Sequence, residues 1–168
     1  KYSAHAREDG TIGGPDVMWT EFVSADGLMR ATPEGKKLLM ADLMYSEEER
    51  PIVAQLFTSN LEHMEKASRL CLELGFDGID INMGCPVQKA LKHNYGVALM
   101  GDSDYAAQVV EYAANAARNL SKPIPVSVKL RAAGTSQTLP DLIHFVEKLV
   151  NAGADWITLH PRSAEQQR

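Results

Sequence analysis

Short apolar runs alternate along this chain with stretches in which apolar residues recur every three or four positions. The runs at 17–23, 52–57, 78–82, 125–130 and 156–160 read as strands, several of them nearly continuous in apolar character, as strands buried on both faces are. Helical stripes lie between them. Leu61, Met64, Ala67, Cys71 and Leu74 share one face of 61–74. Ala106, Val109, Val110, Ala113, Ala117 and Leu120 share one face of 104–120, and Leu142, Phe145, Val146, Leu149 and Val150 one face of 141–152. Asp102 or Ser103 suits the cap of the second helix and Pro140 the start of the third. Gly75 and Gly153 stand where two helices should end. Residues 1–16 are polar, with three glycines and a proline, and read as a loop or frayed segment ahead of a single domain over 17–168.

A weak repeat links Leu74-Gly75-Phe76-Asp77-Gly78-Ile79 to Ala152-Gly153-Ala154-Asp155-Trp156-Ile157; each is a helix end, a tight turn and a strand start. Strand and helix in alternation imply a parallel sheet with right-handed crossovers. Gln55 and Asn82 lie 27 residues apart, Lys129 and His160 31, and Asn82 and Lys129 47, so one unit carries an insertion, placed at 84–101. The expected fold class is α/β of the (β/α)8 TIM-barrel type, here about five consecutive β/α units of an incomplete barrel.

Polar residues close the strands: Gln55, Asn82, Lys129 and His160 each follow a buried run. The carboxyl ends of barrel strands hold active sites, and four hydrogen-bonding groups on separate strands can converge on one planar, polar heterocycle. Cys85 lies between Gly84 and Pro86 just past a strand end. A free cysteine is most often a small buried hydrophobe; at the mouth of a sheet it can instead be a nucleophile, base or proton donor. Cys71, on a helix stripe, takes the packing reading. Lys89, Lys92 and His93 follow the thiol with no acidic residue between Asp80 and Asp102. That segment is either a solvated loop or a contact for a phosphate backbone.

Composition narrows the alternatives. The 168 residues are 45% hydrophobic and 23% charged, an ordinary globular balance that disfavours disorder and coiled coil. The net charge of −5 argues against a protein that coats nucleic acid through its whole surface. No apolar run approaches the ~20 residues of a membrane span. Two cysteines make neither a disulfide framework nor a four-ligand zinc site, His5, His63 and His144 show no metal spacing, and no metal is expected. With no apolar stretch behind the opening basic residues, a cytoplasmic location is expected, and the triplet Asn119-Leu120-Ser121 is then a chance glycosylation match. No P-loop or GxGxxG occurs.

The run GFDGIDINMGCPVQKALKHNYGVALMGD resembles the central signature of the tRNA-dihydrouridine synthases, and WTEFVSADGL, ERPIVAQLF, VSVKLR and ITLHPRS resemble that family's other strand-end motifs in the same order. The resemblance runs from about Asp16 to Arg168. It implies an FMN-dependent TIM-barrel oxidoreductase that reduces uridine in tRNA to 5,6-dihydrouridine with NADPH as electron source. It implies Gln55 and Lys129 at the flavin ring, His160 and Arg162 toward the flavin phosphate, Asn82 and Arg131 at the target uracil, and Cys85 as general acid. Lys89 and Lys92 would meet RNA phosphate. The chain reads as an excerpt of the family's barrel, without its first strand, its last strands or its helical tRNA-binding domain. HPR in place of the common HGR, and AAGTSQT after KLR, depart from the family pattern. A dihydroorotate-dehydrogenase-like flavin barrel acting on a free pyrimidine, or an inactive RNA-binding remnant, are the competing readings.

Overall fold

The computed structural model describes residues 5–6, 8–118, 122–133 and 138–166. Within the segment read as a loop, β1 (His5–Ala6) and β2 (Ile12–Gly13) pair antiparallel as a small separate ladder. The domain that follows is a parallel sheet with helices on its outer face. Its elements are β3 (Met18–Trp19), β4 (Val23–Ser24), α1 (Ala25–Arg30), α2 (Pro33–Ala41), β5 (Ile52–Phe57), α3 (Leu61–Glu73), β6 (Gly78–Met83), α4 (Gln88–Lys92), α5 (Ser103–Arg118), β7 (Val126–Ala133), α6 (Leu139–Asn151) and β8 (Trp156–Ser163). Short 3-10 turns occupy Glu47–Glu49 and Gly96–Gly101.

The sheet order is β3-β5-β6-β7-β8, with β4 sharing the β3 edge of β5. All pairings are parallel, giving the expected incomplete barrel, a half-barrel. The first strand is broken where a single run at 17–23 was expected. Between β3 and β4 the Thr20 hydroxyl accepts from Gln55 N (3.0 Å) and donates to Glu21 O (2.8 Å). A side chain thus replaces a backbone rung, and the interruption bends the edge of the sheet as a bulge does.

The repeat has a physical basis. Helices α3 and α6 both end on a glycine with positive φ, Gly75 at +81° and Gly153 at +114°. The amides of Phe76 and Ala154 reach back to Cys71 O and Leu149 O, closing the left-handed cap that glycine favours. The next aspartate then receives the first amide of the preceding strand: Ile52 N donates to Asp77 Oδ2 (2.9 Å) and Val126 N to Asp155 Oδ2 (2.8 Å). An arginine braces each one, Arg50 on Asp77 and Arg118 on Asp155. These polar latches set the register between successive strands at the amino ends of the sheet.

The core lies between sheet and helices. Ala54 and Leu56 of β5, Ile79, Ile81 and Met83 of β6, and Val126, Val128 and Leu130 of β7 pack against Met64, Ala67 and Cys71 of α3, Ala106, Val109, Val110, Ala113 and Ala117 of α5, and Phe145 and Leu149 of α6. Asp102 accepts from Tyr105 N (3.0 Å) and caps α5; Thr138 and Asp141 form a capping box that starts α6 around Pro140. Asn119, Leu120 and Ser121 lie outside the described residues. Among the described residues, no helix is long and apolar enough to cross a membrane, and no group of acidic, histidine or cysteine side chains has metal-binding geometry.

Candidate active site

The inner face of the sheet is built from every second residue of the same strands. The register pairs Gln55 with Asp80, Asp80 with Ser127 and Ser127 with Trp156. One step toward the carboxyl ends on this face, Asn82 pairs with Lys129 and Lys129 with Thr158, and beyond them Arg131 pairs with His160. Side chains alternate across a strand, so these polar residues share one face. Burial throughout β5 and β6 agrees with the expectation for strands covered on both sides, but the inner face includes the polar Gln55, Asp80 and Asn82. The alternation in Gly-Ile-Asp-Ile-Asn-Met and Val-Ser-Val-Lys-Leu-Arg is the signal for this arrangement. Asp80 and Ser127 lie inside β6 and β7 and carry no strand-end signal.

Four of these side chains are tied together. Ser127 Oγ donates to Asp80 Oδ1. Gln55 Nε2 donates to Asp80 Oδ2 at 2.6 Å, and Asn82 Nδ2 donates to Gln55 Oε1 at 3.0 Å. Asn82 Oδ1 accepts from the amides of Gly84 and Cys85, both at 3.1 Å. Burial pushes the Asp80 carboxyl above the ordinary aspartate range, while the hydrogen bonds from Ser127 and Gln55 and the charge of Lys129 hold it back. Asn82 has both lone pairs of its oxygen engaged, so it offers a ligand one N–H and no acceptor, a narrower capacity than a free amide has. Gln55 keeps one N–H free.

Gln55 and Lys129, the two residues expected at the flavin ring, line one cavity of about 290 Å³ with Trp19, Asp80 and Thr158. That is near the ~300 Å³ lower end of small-ligand pockets. A cation, a free amide N–H and an indole around a slot suit a flat heterocycle with an electron-rich edge. The residues therefore fit an isoalloxazine ring, with Lys129 as the group that offsets negative charge.

Cys85 is half-buried at the rim, and its backbone is fixed from both sides. Its N–H is held by Asn82, and its carbonyl accepts from Val97 N at 3.1 Å. Gly96 makes this contact possible. Its φ is +59°, and a Cβ there would lie 2.7 Å from Cys85 O. Tyr95 is buried beside the thiol and packs at a tilt against Phe57, whose ring also meets Phe22 edge-on. Arg131 Nε donates to Gly84 O (2.8 Å) and its Nη1 to Ser163 O (3.0 Å). The guanidinium thus bridges the turn before Cys85 to the end of β8, and its role at the rim begins with holding that turn. Cys71, by contrast, is fully buried, and burial pushes its thiol up to about 12.

The remaining expected residues sit farther out. His160 is on the inner face two residues beyond Thr158, and its Nδ1 accepts from Arg162 N at 3.2 Å. Partial burial, then the cations Arg131, Lys129 and Arg162, push His160 below the ordinary histidine value, so the neutral ring is favoured. Arg162 is exposed. Lys89 and Lys92, expected in a loop, lie on the short helix α4 after the Cys85 turn. Both are exposed, and among the described residues neither forms an ion pair. The structure ties Gln55, Asn82 and the Cys85 turn into one hydrogen-bonded assembly; Gln55 and Lys129 line the cavity, and Asn82, Cys85, Arg131, His160, Arg162, Lys89 and Lys92 are not among its lining residues.

The fold and site define a class: an α/β half-barrel of TIM type with a cation and amides on its inner face and a thiol at the strand ends. The chain belongs to the dihydrouridine synthase (Dus) family, which matches it over residues 5–168. It is 32% identical over 149 residues to a tRNA-dihydrouridine(20/20a) synthase of Synechocystis sp., covering 88% of this chain and 41% of that protein. It is 38% identical over 123 residues to a probable tRNA-dihydrouridine synthase 2 of Bacillus subtilis, covering 73% of this chain and 35% of that protein. With a probable tRNA-dihydrouridine synthase of Aquifex aeolicus it shares 35% identity over 154 residues, 91% of this chain and 46% of the relative. The chain thus spans less than half the length of these relatives.

Proposed function

We propose that this chain forms the FMN- and uridine-facing half of the catalytic barrel in an enzyme that reduces uridine in tRNA to 5,6-dihydrouridine, with NADPH as electron donor. The observation that carries the reading is the placement of Cys85. Its half-buried thiol stands on a turn held by Asn82, Val97 and Arg131 at the carboxyl end of the strands that present Gln55 and Lys129.

Bound FMN supplies hydride chemistry to such a site. Lys129 would hold its ammonium against the electron-rich edge of the ring, and Gln55 would direct its free N–H to a ring acceptor. Asn82 would give its one remaining N–H to a uracil carbonyl. Cys85 Sγ–H would pass its proton to uracil C5, the thiolate being reprotonated from solvent, while hydride arrives at C6. A uridine must leave its stack to reach this face. The exposed cations Lys89 and Lys92, next along the chain from the thiol, suit its phosphate backbone. His160 and Arg162, late in β8, would hold the cofactor phosphate.

The test separates the two electron transfers. In the full-length protein, Cys85→Ala should retain FMN and its reduction by NADPH. It should slow tRNA-dependent reoxidation by roughly 10²–10⁴, the usual contribution of a positioned general acid. Reoxidation at the wild-type rate would show that Cys85 is only structural.

A further inference from the structure

The polarity of the inner hydrogen-bond chain is fixed from both ends. At the rim, the amides of Gly84 and Cys85 can only donate, so Asn82 must turn its oxygen to them. Its nitrogen then faces Gln55 Oε1, and Gln55 Nε2 faces Asp80 Oδ2. The far end must be an acceptor, and a carboxylate is the side chain that accepts without offering a hydrogen in return. Asp80 also takes the Ser127 hydroxyl on its other oxygen and lies beside Lys129. A buried carboxylate is costly to keep in a sheet. Here it terminates a series in which each amide has one allowed orientation.

We infer that Asp80 is a positioning residue: through Gln55 and Asn82 it locks the Cys85 turn in place and aims the free N–H of Gln55 into the cavity. The inference deepens the proposed flavin reading and rests on it only for the direction of that N–H. The link to Cys85 stands on the protein's own hydrogen bonds. A wire of this kind makes a specific demand on residue pairs. Positions 55 and 80 must set a donor against an acceptor, and position 55 must accept from Asn82. Asp80→Asn meets the demand, because the new amide oxygen can accept from Gln55 while its nitrogen donates to Ser127. Gln55→Glu violates it by setting two carboxylates 2.6 Å apart, measured between the present atoms. Combining Gln55→Glu with Asp80→Asn restores it, with donor and acceptor exchanged between the two positions and the Asn82 end unchanged.

The experiment uses the full-length protein stripped of flavin, at pH 8, where a proton shared between two carboxyls is least favoured. Cys85 alkylation by iodoacetamide is followed by mass spectrometry, and FMN is titrated separately. Asp80→Asn should stay within about twofold of wild type in alkylation rate, Gln55→Glu should rise about tenfold or more as the turn opens, and the double variant should return to within about threefold. FMN affinity should fall in both variants that carry Gln55→Glu, because neither has an N–H at that position. A double variant as reactive as Gln55→Glu alone, or a Gln55→Glu protein with wild-type alkylation, overturns the inference. If Gln55→Glu does not fold, a folded double variant supports the inference and an unfolded one overturns it. Failure of the unaltered protein to bind FMN removes the flavin reading, and the alkylation cycle alone then decides whether the wire holds the turn.

Discussion

Ile81 and Asn82 are neighbours on β6 and belong to different parts of the molecule. Ile81 points outward and is fully buried among helices α3 and α5. Asn82 points inward, is nearly as buried, and engages its side chain in three hydrogen bonds. The same division repeats on β7 between Val128 and Lys129. The outer face obeys volume and transfer energy, and many apolar residues of similar size would serve there. The inner face obeys the matching of donors to acceptors, where one wrong atom leaves a buried group unpaired. A shift of one residue in register would exchange the two chemistries, which is why the Asp77 and Asp155 latches at the amino ends matter to the site.

The outer face should break first under truncation. Ile81→Ala should cost about 2–5 kcal/mol, the range for deleting a buried branched side chain with its cavity. Urea unfolding reads the loss directly. A cost under 1 kcal/mol would mean that the sheet–helix interface collapses around the hole and is less tightly packed than the burial implies.

On the inner face the next largest effect should appear in ligand binding rather than in folding. Lys129→Ala should leave the unfolding free energy within about 1 kcal/mol. It should weaken FMN retention by roughly tenfold to a hundredfold, the worth of a charged hydrogen bond. Equal flavin content in the purified full-length variant and wild type would take Lys129 out of the cavity's function.

Much of this contrast was legible in the sequence. The five strand regions and three long helices follow from apolar runs and stripes, and the ends at Gly75 and Gly153 follow from glycine after a stripe. The inner pair Asp80–Ser127 was not legible from strand ends, because neither residue terminates a strand. The alternation that marks them competes with the overall burial of the strands. The break at Thr20 was hidden because a side chain replacing a backbone rung leaves no trace in periodicity. Helices α1 and α2 were also missed; α2 buries no residue, so no apolar stripe announces it. Segment 84–101 is legible as an insertion from the 47 residues between Asn82 and Lys129, yet its packing role depends on one conformation at Gly96 that only the backbone reveals.

That conformation gives a smaller, local test. Gly96→Ala places a Cβ against the Cys85 carbonyl at a positive φ, and strain of this kind costs roughly 1–3 kcal/mol. Thermal unfolding should show the loss, and Cys85 alkylation should change with it. If stability drops while the thiol reacts as before, the 3-10 turn supports the core and not the site.

The smallest effect is expected from Asp80, where the two faces meet most directly: a carboxyl is buried like a core residue and wired like a site residue. Burial raises its affinity for a proton in the folded protein, against the pull of Ser127, Gln55 and Lys129. The unfolded chain has no such burial. Across the interval above the ordinary aspartate value the folded state therefore holds more protons than the unfolded state, and stability falls as pH rises through it. Below that interval both states are protonated, and above it the penalty is constant. Asp80→Asn has no proton to lose there. Urea unfolding of the variant and of wild type in parallel, from about pH 4 to about pH 7, should show the difference moving in the variant's favour as pH increases. A difference that does not change with pH would mean that the hydrogen bonds and Lys129 cancel burial, and one that moves the other way that they outweigh it and Asp80 is stabilised as an anion by its wiring.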